Sequence, residues 1–313
     1  MNFQQLRYVR ETVRQGLNLT EAAKNLHTSQ PGVSKQIREL EDELGIEIFV
    51  RHGKRIVTLT ESGQALLGVI ERLLAEAENL KQVGREFKDQ ATGTLTVATT
   101  HTQARYVLPT VIREFRRRYP KVRLRLQQSS PRQLAEMVMG GEADVAIATE
   151  ALDDYAKLLA LPGYTWNHYV VVPARHPLTR VQRVAIEDLA QYPIVTYDTA
   201  FAGRTHIDAA FAARSLHPDV VLSAVDADVI KTYVELGMGV GIVASMAFDA
   251  KRDSHLRALD ASHLFQSNTT RVAIRRGAYL RGYTYAFLEL FSPQLTRKLV
   301  DTALAGKAEQ YEL

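Results

Sequence analysis

Three hydroxyl-rich junctions are the places where this sequence could hold a small charged molecule. Thr99-Thr100-His101-Thr102-Gln103 follows a β-prone run and leads straight into a helical one. Ser129-Ser130-Pro131 follows a second such run and Thr149-Glu150 a third. Hydroxyls combined with the free amides of a helix N-terminus bind an anion or carboxylate without needing a basic side chain. Each junction alone also reads as an ordinary helix cap, but three at successive strand ends favour a ligand site. The single Trp166 falls where the chain crosses into a further α/β segment, where it either lines that site or packs a hinge.

A second group of candidates lies near the N-terminus. Gln30, Ser34, Lys35 and Arg38 sit on one face of a helical segment whose other face carries Val33, Ile37, Leu40 and Leu44. Such polar side chains read base edges or grip phosphates. Arg51-His52-Gly53-Lys54-Arg55 is a basic turn between the β-prone runs 46–50 and 56–59. In isolation it reads as a solvated charged turn. After a helix-turn-helix it reads as a wing that reaches the flanking backbone or the minor groove.

Covalent chemistry finds no foothold. The chain has no cysteine, which removes disulfides, thiolate metal sites and a nucleophilic thiol. Its 9 histidines show no metal-ligand spacing, and no serine sits in a nucleophile elbow. Gly237-Met238-Gly239-Val240-Gly241 lacks the spacing of a dinucleotide loop and marks a tight helix-to-strand turn instead. No catalytic residue, metal or cofactor is expected.

These residues must be positioned by two or three domains, given 313 residues of which 46% are hydrophobic and 24% charged. Phe3, Leu6, Val9 and Val13 predict a first helix that stops at Gly16. Thr20 is the candidate cap of a second, carrying Ala22, Ala23 and Leu26. Thr28-Ser29-Gln30-Pro31 then connects tightly to the third, with Pro31 tolerated in its first turn. From Thr60 to about Lys88 runs one long helix in which Leu66, Ile70, Leu73, Ala77, Leu80, Gly84 and Phe87 form a heptad seam. That seam needs cover, from a second copy of the chain or from the C-terminal domain. Lys88–Gly93 is a polar hinge.

Beyond it, strands and helices alternate. Thr94–Thr99, a helix from Gln103 to Tyr119, Val122–Leu126, a helix opening at Pro131 and Ala143–Ala148 make a βαβαβ unit and a mostly parallel sheet. A second unit begins near Trp166 and runs through Tyr169–Val172, Ile194–Tyr197, a helix after Gly203, Val220–Leu222, a helix over Asp228–Leu236 and Val240–Val243. Thr270–Ile274 returns to complete the first lobe. The expected fold is an N-terminal all-α winged helix-turn-helix (1–59) with a linker and dimerisation helix and hinge (60–90). Behind it comes a two-lobed α/β effector domain (91–313) of the periplasmic-binding-protein kind. Lobe I spans about 91–163 and 268–300, lobe II about 164–267, and ligands bind between them at strand ends. The N-terminus is not a signal peptide, since Met1–Gln5 leads into Arg7, Arg10, Glu11 and Arg14. No apolar run approaches the roughly 18 residues that span a bilayer, so a cytoplasmic protein with no membrane partner is expected. A net charge of +4 permits nucleic acid as a partner without requiring it.

The run from Ala22 to Ile37, with Leu40-Glu41-Asp42-Glu43-Leu44-Gly45 and Thr58-Leu59-Thr60-Glu61-Ser62-Gly63, resembles the N-terminal signature of LysR-type transcriptional regulators. That resemblance implies double-stranded promoter DNA and RNA polymerase as partners. It implies DNA contacts from Ser29, Gln30, Pro31, Ser34, Lys35 and Arg38 on the recognition helix, and from Lys54 and Arg55 in the wing. In the C-terminal half, Ala98–Tyr106, Ala146–Ala151 and Asp226–Tyr233 resemble the CysB branch of that family, which controls sulfur assimilation. The branch implies a homodimer or homotetramer and a small effector: sulfate, adenosine phosphosulfate, O-acetylserine or N-acetylserine. It implies an effector site of Thr100, Thr102, Gln103, Ser130 and Thr149 with Trp166 nearby and position 202 on the far wall. There the branch has a threonine in Gly-Phe-Thr-Gly-Arg, whereas this chain has Ala200-Phe201-Ala202-Gly203-Arg204. Loss of that hydroxyl is worth about 1 kcal/mol or more if the bond was buried. Control of sulfonate or sulfate-ester use is therefore a second reading. A solute-binding or enzymatic α/β protein fused to a DNA-binding domain is the reading from another class, and neither a secretion signal nor a nucleophile with its base supports it.

Overall fold

The computed structural model describes residues 1–53, 55–88, 92–201 and 203–306, with the backbone alone at 82 and 85–88. The chain divides into two compact units, Met1–Lys88 and Asp89–Leu313.

The first unit contains helices α1 (Phe3–Arg14), α2 (Leu19–Asn25) and α3 (Gln30–Leu44), a hairpin of β1 (Phe49–His52) and β2 (Arg55–Leu59), and α4 (Glu61–Lys88). Each helix start has a local cause. Asn2 accepts the amides of Gln4 and Gln5 and closes a capping box with Gln5. Helix α2 is capped by Asn18 rather than Thr20, the Asn18 side chain accepting the amides of Thr20 and Glu21. The reason lies one residue back: Leu17 takes a positive φ of 68°, which reverses the chain and leaves Asn18 extended at the helix start. Ser29 caps α3, with Pro31 in the first turn, and Gly45 ends that helix in the left-handed region at φ 67°.

Leu6, Val9, Val33, Ile37, Leu40, Ile48 and Ile56 form the core. Leu44, expected inside, is 37% exposed, because it closes the last turn where Gly45 carries the chain away from the core. The seam of α4 also divides. Ile70 and Leu74 are buried in the winged-helix core, with Leu66 packed against it, while Val69, Leu73 and Leu80 stay exposed. An α-helix drifts about 20° per heptad against a strict 3.5-residue repeat, so one stripe faces the unit's own core and a neighbouring stripe faces outward. The Phe87 side chain, Lys54 and most of the hinge (89–91) lie outside the described residues.

The second unit runs β3 (Gly93–Thr99), a π-helical turn (Gln103–Val107), α5 (Leu108–Arg118), β4 (Val122–Gln128), α6 (Pro131–Gly140), β5 (Val145–Ala148) and β6 (Leu158–Trp166). It continues through β7 (His168–Pro173), α7 (Ile186–Leu189), β8 (Ile194–Tyr197), α8 (Arg204–Ala212), β9 (Val220–Ala224), α9 (Ala227–Glu235) and β10 (Val240–Ala244). It ends with β11 (Leu256–Asp260), β12 (Asn268–Arg275), α10 (Gly282–Phe291) and α11 (Arg297–Leu304). Two five-stranded sheets result, ordered β4-β3-β5-β12-β6 and β11-β7-β10-β8-β9, and β12 joins the first as its sequence suggests.

The sheets are mixed rather than mostly parallel. β3 pairs parallel with β4 and β5, and β8 with β9 and β10, but β12 runs antiparallel to β5 and β6, and β7 to β10 and β11. The antiparallel strands are those that carry the chain between lobes, from β6 to β7 and back from β11 to β12. Helix α10 escapes periodicity because it is apolar nearly all round, with Tyr283, Tyr285, Phe287, Leu288 and Phe291 all buried.

Candidate functional site

On α3, Ser29, Pro31, Lys35 and Arg38 are exposed and Gln30 and Ser34 half-buried, all clear of the apolar face. Arg55, also exposed, opens β2. Arg51 does not join them. Its guanidinium pairs at 2.7 Å with Glu41, which is only 6% exposed and whose other oxygen accepts the amides of Ile48 and Phe49 at 2.8 and 3.2 Å. One buried carboxylate thus ties the hairpin to the back of α3 and fixes the wing relative to the polar face. The signal for Glu41 was a charged residue beside Leu40 on the buried side of the helix.

In the second unit, Thr100, Thr102, Gln103, Thr149, Glu150, Trp166 and Phe201 line a cavity with about 250 Å³ of open space. Thr270, fully buried on β12, ties these walls together. Its hydroxyl receives Gln103 Nε2 at 3.2 Å and Trp166 Nε1 at 3.0 Å, and lies 3.5 Å from Thr149 Oγ1. A hydroxyl has two lone pairs and one proton, so with Gln103 and Trp166 both donating to it Thr270 keeps a single proton to give. Tyr164 donates to Gln103 Oε1 at 2.6 Å and fixes the orientation of that amide. Thr270, Tyr164 and Phe201 escape sequence reasoning because strands remote in sequence bring them here. The one signal was the alternation of Tyr164 and Trp166 on β6.

Ser130 is placed elsewhere. It is the N-cap residue of α6, with its hydroxyl 3.0 Å from Gln133 Oε1, and is not among the cavity walls. Ala202 lies outside the described residues. Its neighbour Gly203 opens α8 in the left-handed region at φ 67°, and its amide donates to the Glu150 carboxylate across the cleft.

The segment expected as one helix from Gln103 is instead a π-turn followed by α5. Pro109, in the first turn of α5, has no amide to give to the Arg105 carbonyl and its ring would strike it; the wider turn relieves both. That turn presents Gln103 to the cavity on one side and Arg105 and Tyr106 to lobe II on the other. The Asp228 carboxylate of α9 accepts from Arg105 Nε at 3.1 Å and from the Tyr106 hydroxyl at 2.7 Å. Burial, and then the Asp228 hydrogen bond, pushes the Tyr106 phenol well above its ordinary range. Burial also pushes the Asp228 carboxyl up, but the hydrogen bonds from Tyr106 and Arg105 and the nearby Lys231 outweigh it and hold it below the usual value.

His101 and, from a segment more than a hundred residues later, Asp226 and Asp228 each offer an atom within 4.8 Å of the others. Arg105 at 3.1 Å and Lys231 at 3.5 Å already answer the charge of Asp228, and Asp226 is the cap of α9, accepting the Val229 amide.

Comparison with known proteins agrees with this two-part construction. Residues 3–64 match the family model "Bacterial regulatory helix-turn-helix protein, lysR family" and residues 88–296 the model "LysR substrate binding domain". The chain is similar to the HTH-type transcriptional regulator CysB of Burkholderia cenocepacia, with 60% identity over 313 residues and the whole of both chains covered. It is 59% identical to the regulator SsuR of the same organism, over 94% of this chain and 96% of that one. Among solved structures it is similar to the cofactor-binding domain of the Cbl transcriptional regulator, with a TM-score of 0.66 and 44% identity over 68% of this chain and 93% of that one. The chain belongs to the LysR family of bacterial transcriptional regulators.

Proposed function

We propose that the protein controls genes of sulfur assimilation, those of cysteine biosynthesis and sulfate uptake, in response to a small sulfur-metabolism effector bound between its lobes. The observation that carries this reading is the convergence of Thr100, Thr102, Gln103, Thr149 and Trp166 on one small cavity. Ser29, Gln30, Pro31, Ser34, Lys35, Arg38, Lys54 and Arg55 contact promoter DNA. The outward stripe of α4 with Val69, Leu73 and Leu80 pairs two chains across residues 60–90. Such pairing sets two recognition helices at a fixed separation for a two-fold site, and pairs of dimers form a tetramer. The protein acts in the cytoplasm, with RNA polymerase as its downstream partner, and performs no catalysis. A ligand that binds one arrangement of the lobes better than another shifts how the paired DNA-binding units sit on the promoter.

A second reading, control of sulfonate or sulfate-ester use, is favoured by the near-equal identities to CysB and SsuR, 60% and 59%. Binding to promoters of sulfate-uptake genes against those of sulfonate-use genes separates the two.

Trp166 is the single tryptophan, and its fluorescence tests the effector site. Titration with sulfate, O-acetylserine, N-acetylserine and adenosine phosphosulfate is expected to give a saturable change with at least one, weakened or lost in Thr100→Ala. No response to any of them, in protein that still binds DNA, overturns the sulfur-metabolite assignment.

A further inference from the structure

Resting on the effector reading above, we propose that Arg105, Tyr106 and Asp228 form a latch between the lobes that sets how fast ligand enters and leaves the cleft. They are positioning residues, since none of the three is among the cavity walls. Two of the walls are themselves tied to lobe II. Thr102 is hydrogen-bonded to the hydroxyl of Tyr197, which is fully buried on β8 and also accepts the Ala244 amide at 3.1 Å. Glu150 accepts the Gly203 amide at the start of α8. The lobes are therefore closed on one another here, and a ligand that reaches these groups passes through an arrangement in which the lobes have parted.

The latch is anchored firmly at both ends. On lobe II, Asp228 Oδ2 accepts from Arg105 Nε at 3.1 Å, and Oδ1 accepts from the Tyr106 hydroxyl at 2.7 Å and lies 3.5 Å from Lys231 Nζ. Lys231, 7% exposed, is held by both Asp253 oxygens at 2.9 and 3.0 Å and by the Ala247 carbonyl at 2.8 Å. Its ammonium group also lies 5.4 Å from the centre of the Tyr106 ring. Tyr106 thus grips lobe II twice, by its hydroxyl and by the face of its ring. On lobe I, the π-turn that carries Arg105 and Tyr106 begins at Gln103, which is buried and fixed by Tyr164 and Thr270. Between these anchors the junction stays wet, with 48% of the Arg105 side chain and 42% of Asp228 exposed. Ion pairs that water reaches exchange their partners readily, as a contact that must open and reclose requires.

Such a contact has a kinetic signature. It stabilises the closed lobes equally with the cleft empty or filled, and a contribution that is equal in both states leaves affinity unchanged. It lowers the open fraction of the free protein and the opening rate of the complex by the same factor. Weakening the latch therefore raises the on-rate and the off-rate together, whereas a residue that merely shapes the cavity changes affinity, chiefly through the off-rate.

The test is stopped-flow fluorescence of Trp166 on the full-length protein, with potassium sulfate, N-acetylserine and O-acetylserine as probes. Asp228→Asn is expected to raise the on-rate and off-rate constants together by about tenfold, the size of one hydrogen bond to a charged group, and Tyr106→Phe by about fivefold. Their ratio, Kd, is expected to stay at the wild-type value in both variants. Rate constants that do not move, or a Kd that weakens through the off-rate alone, overturn the proposal and leave the effector reading intact. A second measurement needs no ligand: acrylamide quenching of Trp166, which is 6% exposed at the junction of the lobes, is expected to rise in Asp228→Asn as the lobes part more often. Unchanged quenching overturns the latch. If none of the three probes alters the fluorescence of wild-type protein, the effector reading falls, and the role in ligand exchange with it, while the quenching alone decides whether Asp228 holds the lobes together.

Discussion

The polar face of α3 and the wall of the cleft are built on opposite plans. On α3 the candidate side chains stand out from a single helix whose other face is core, and most point to solvent: Ser29, Pro31, Lys35 and Arg38 are exposed. In the cleft they come from different strands and turns and are largely occupied with one another, Gln103, Trp166 and Thr149 meeting at Thr270. A surface that reads a long, regular partner needs free side chains on a rigid support. A cavity that grips a small molecule needs its polar groups fixed in advance, because each loose side chain costs about 0.5–1.5 kcal/mol to immobilise on binding. The rigid support for α3 is the buried Glu41, and the fixing of the cleft is done by Tyr164 and Thr270.

The largest effect expected from breaking this comparison is at Glu41. Glu41→Ala removes the partner of Arg51 and strands the amides of Ile48 and Phe49, at a cost of roughly 3–5 kcal/mol for opening a buried pair. DNA binding measured by gel shift is expected to collapse while the Trp166 response to ligand survives. Equal loss of both would show that the two units do not stand apart. A smaller and sharper effect is expected at Arg38, where Arg38→Ala weakens promoter binding by about 1–3 kcal/mol with no change in ligand affinity by fluorescence.

The smallest effect falls on the clasp between the lobes. Tyr106→Phe removes one hydrogen bond to Asp228, about 1 kcal/mol, and is expected to alter the ligand response before it alters DNA affinity. The sign of its pH dependence follows from Asp228. Because the folded carboxyl is held below its ordinary value, the clasp contributes fully above the usual carboxylate range and is lost as pH falls through the depressed value. Melting temperatures followed into acid are expected to show a shallower fall for Tyr106→Phe than for wild type.

How far the sequence was readable follows the same division. Helix α3, its cap at Ser29 and the basic turn are local features, and a capping hydroxyl followed by proline states them within four residues. Two of the three hydroxyl junctions, Thr99–Gln103 and Thr149-Glu150, were also visible and do reach the cleft, whereas Ser129-Ser130 caps α6 instead. What stayed hidden depends on pairing between distant segments. Thr270 lies more than a hundred residues after Gln103 and Thr149, and only the antiparallel return of β12 brings it to the site. The π-turn was hidden because the run from Gln103 to Tyr119 reads as one helix when the proline within it is passed over, and the exposure of Leu73 was hidden because the heptad pattern does not say which stripe of α4 the unit's own core takes.

The central claim is that ligand in the cleft changes how the paired winged helices sit on DNA. The most direct test is to footprint and measure the bend angle of one sulfate-uptake promoter fragment, with and without saturating effector, for wild-type protein and Thr100→Ala. The account predicts a footprint and bend that change with effector in wild type and stay fixed in Thr100→Ala. An identical footprint and bend with and without effector in wild-type protein would contradict it.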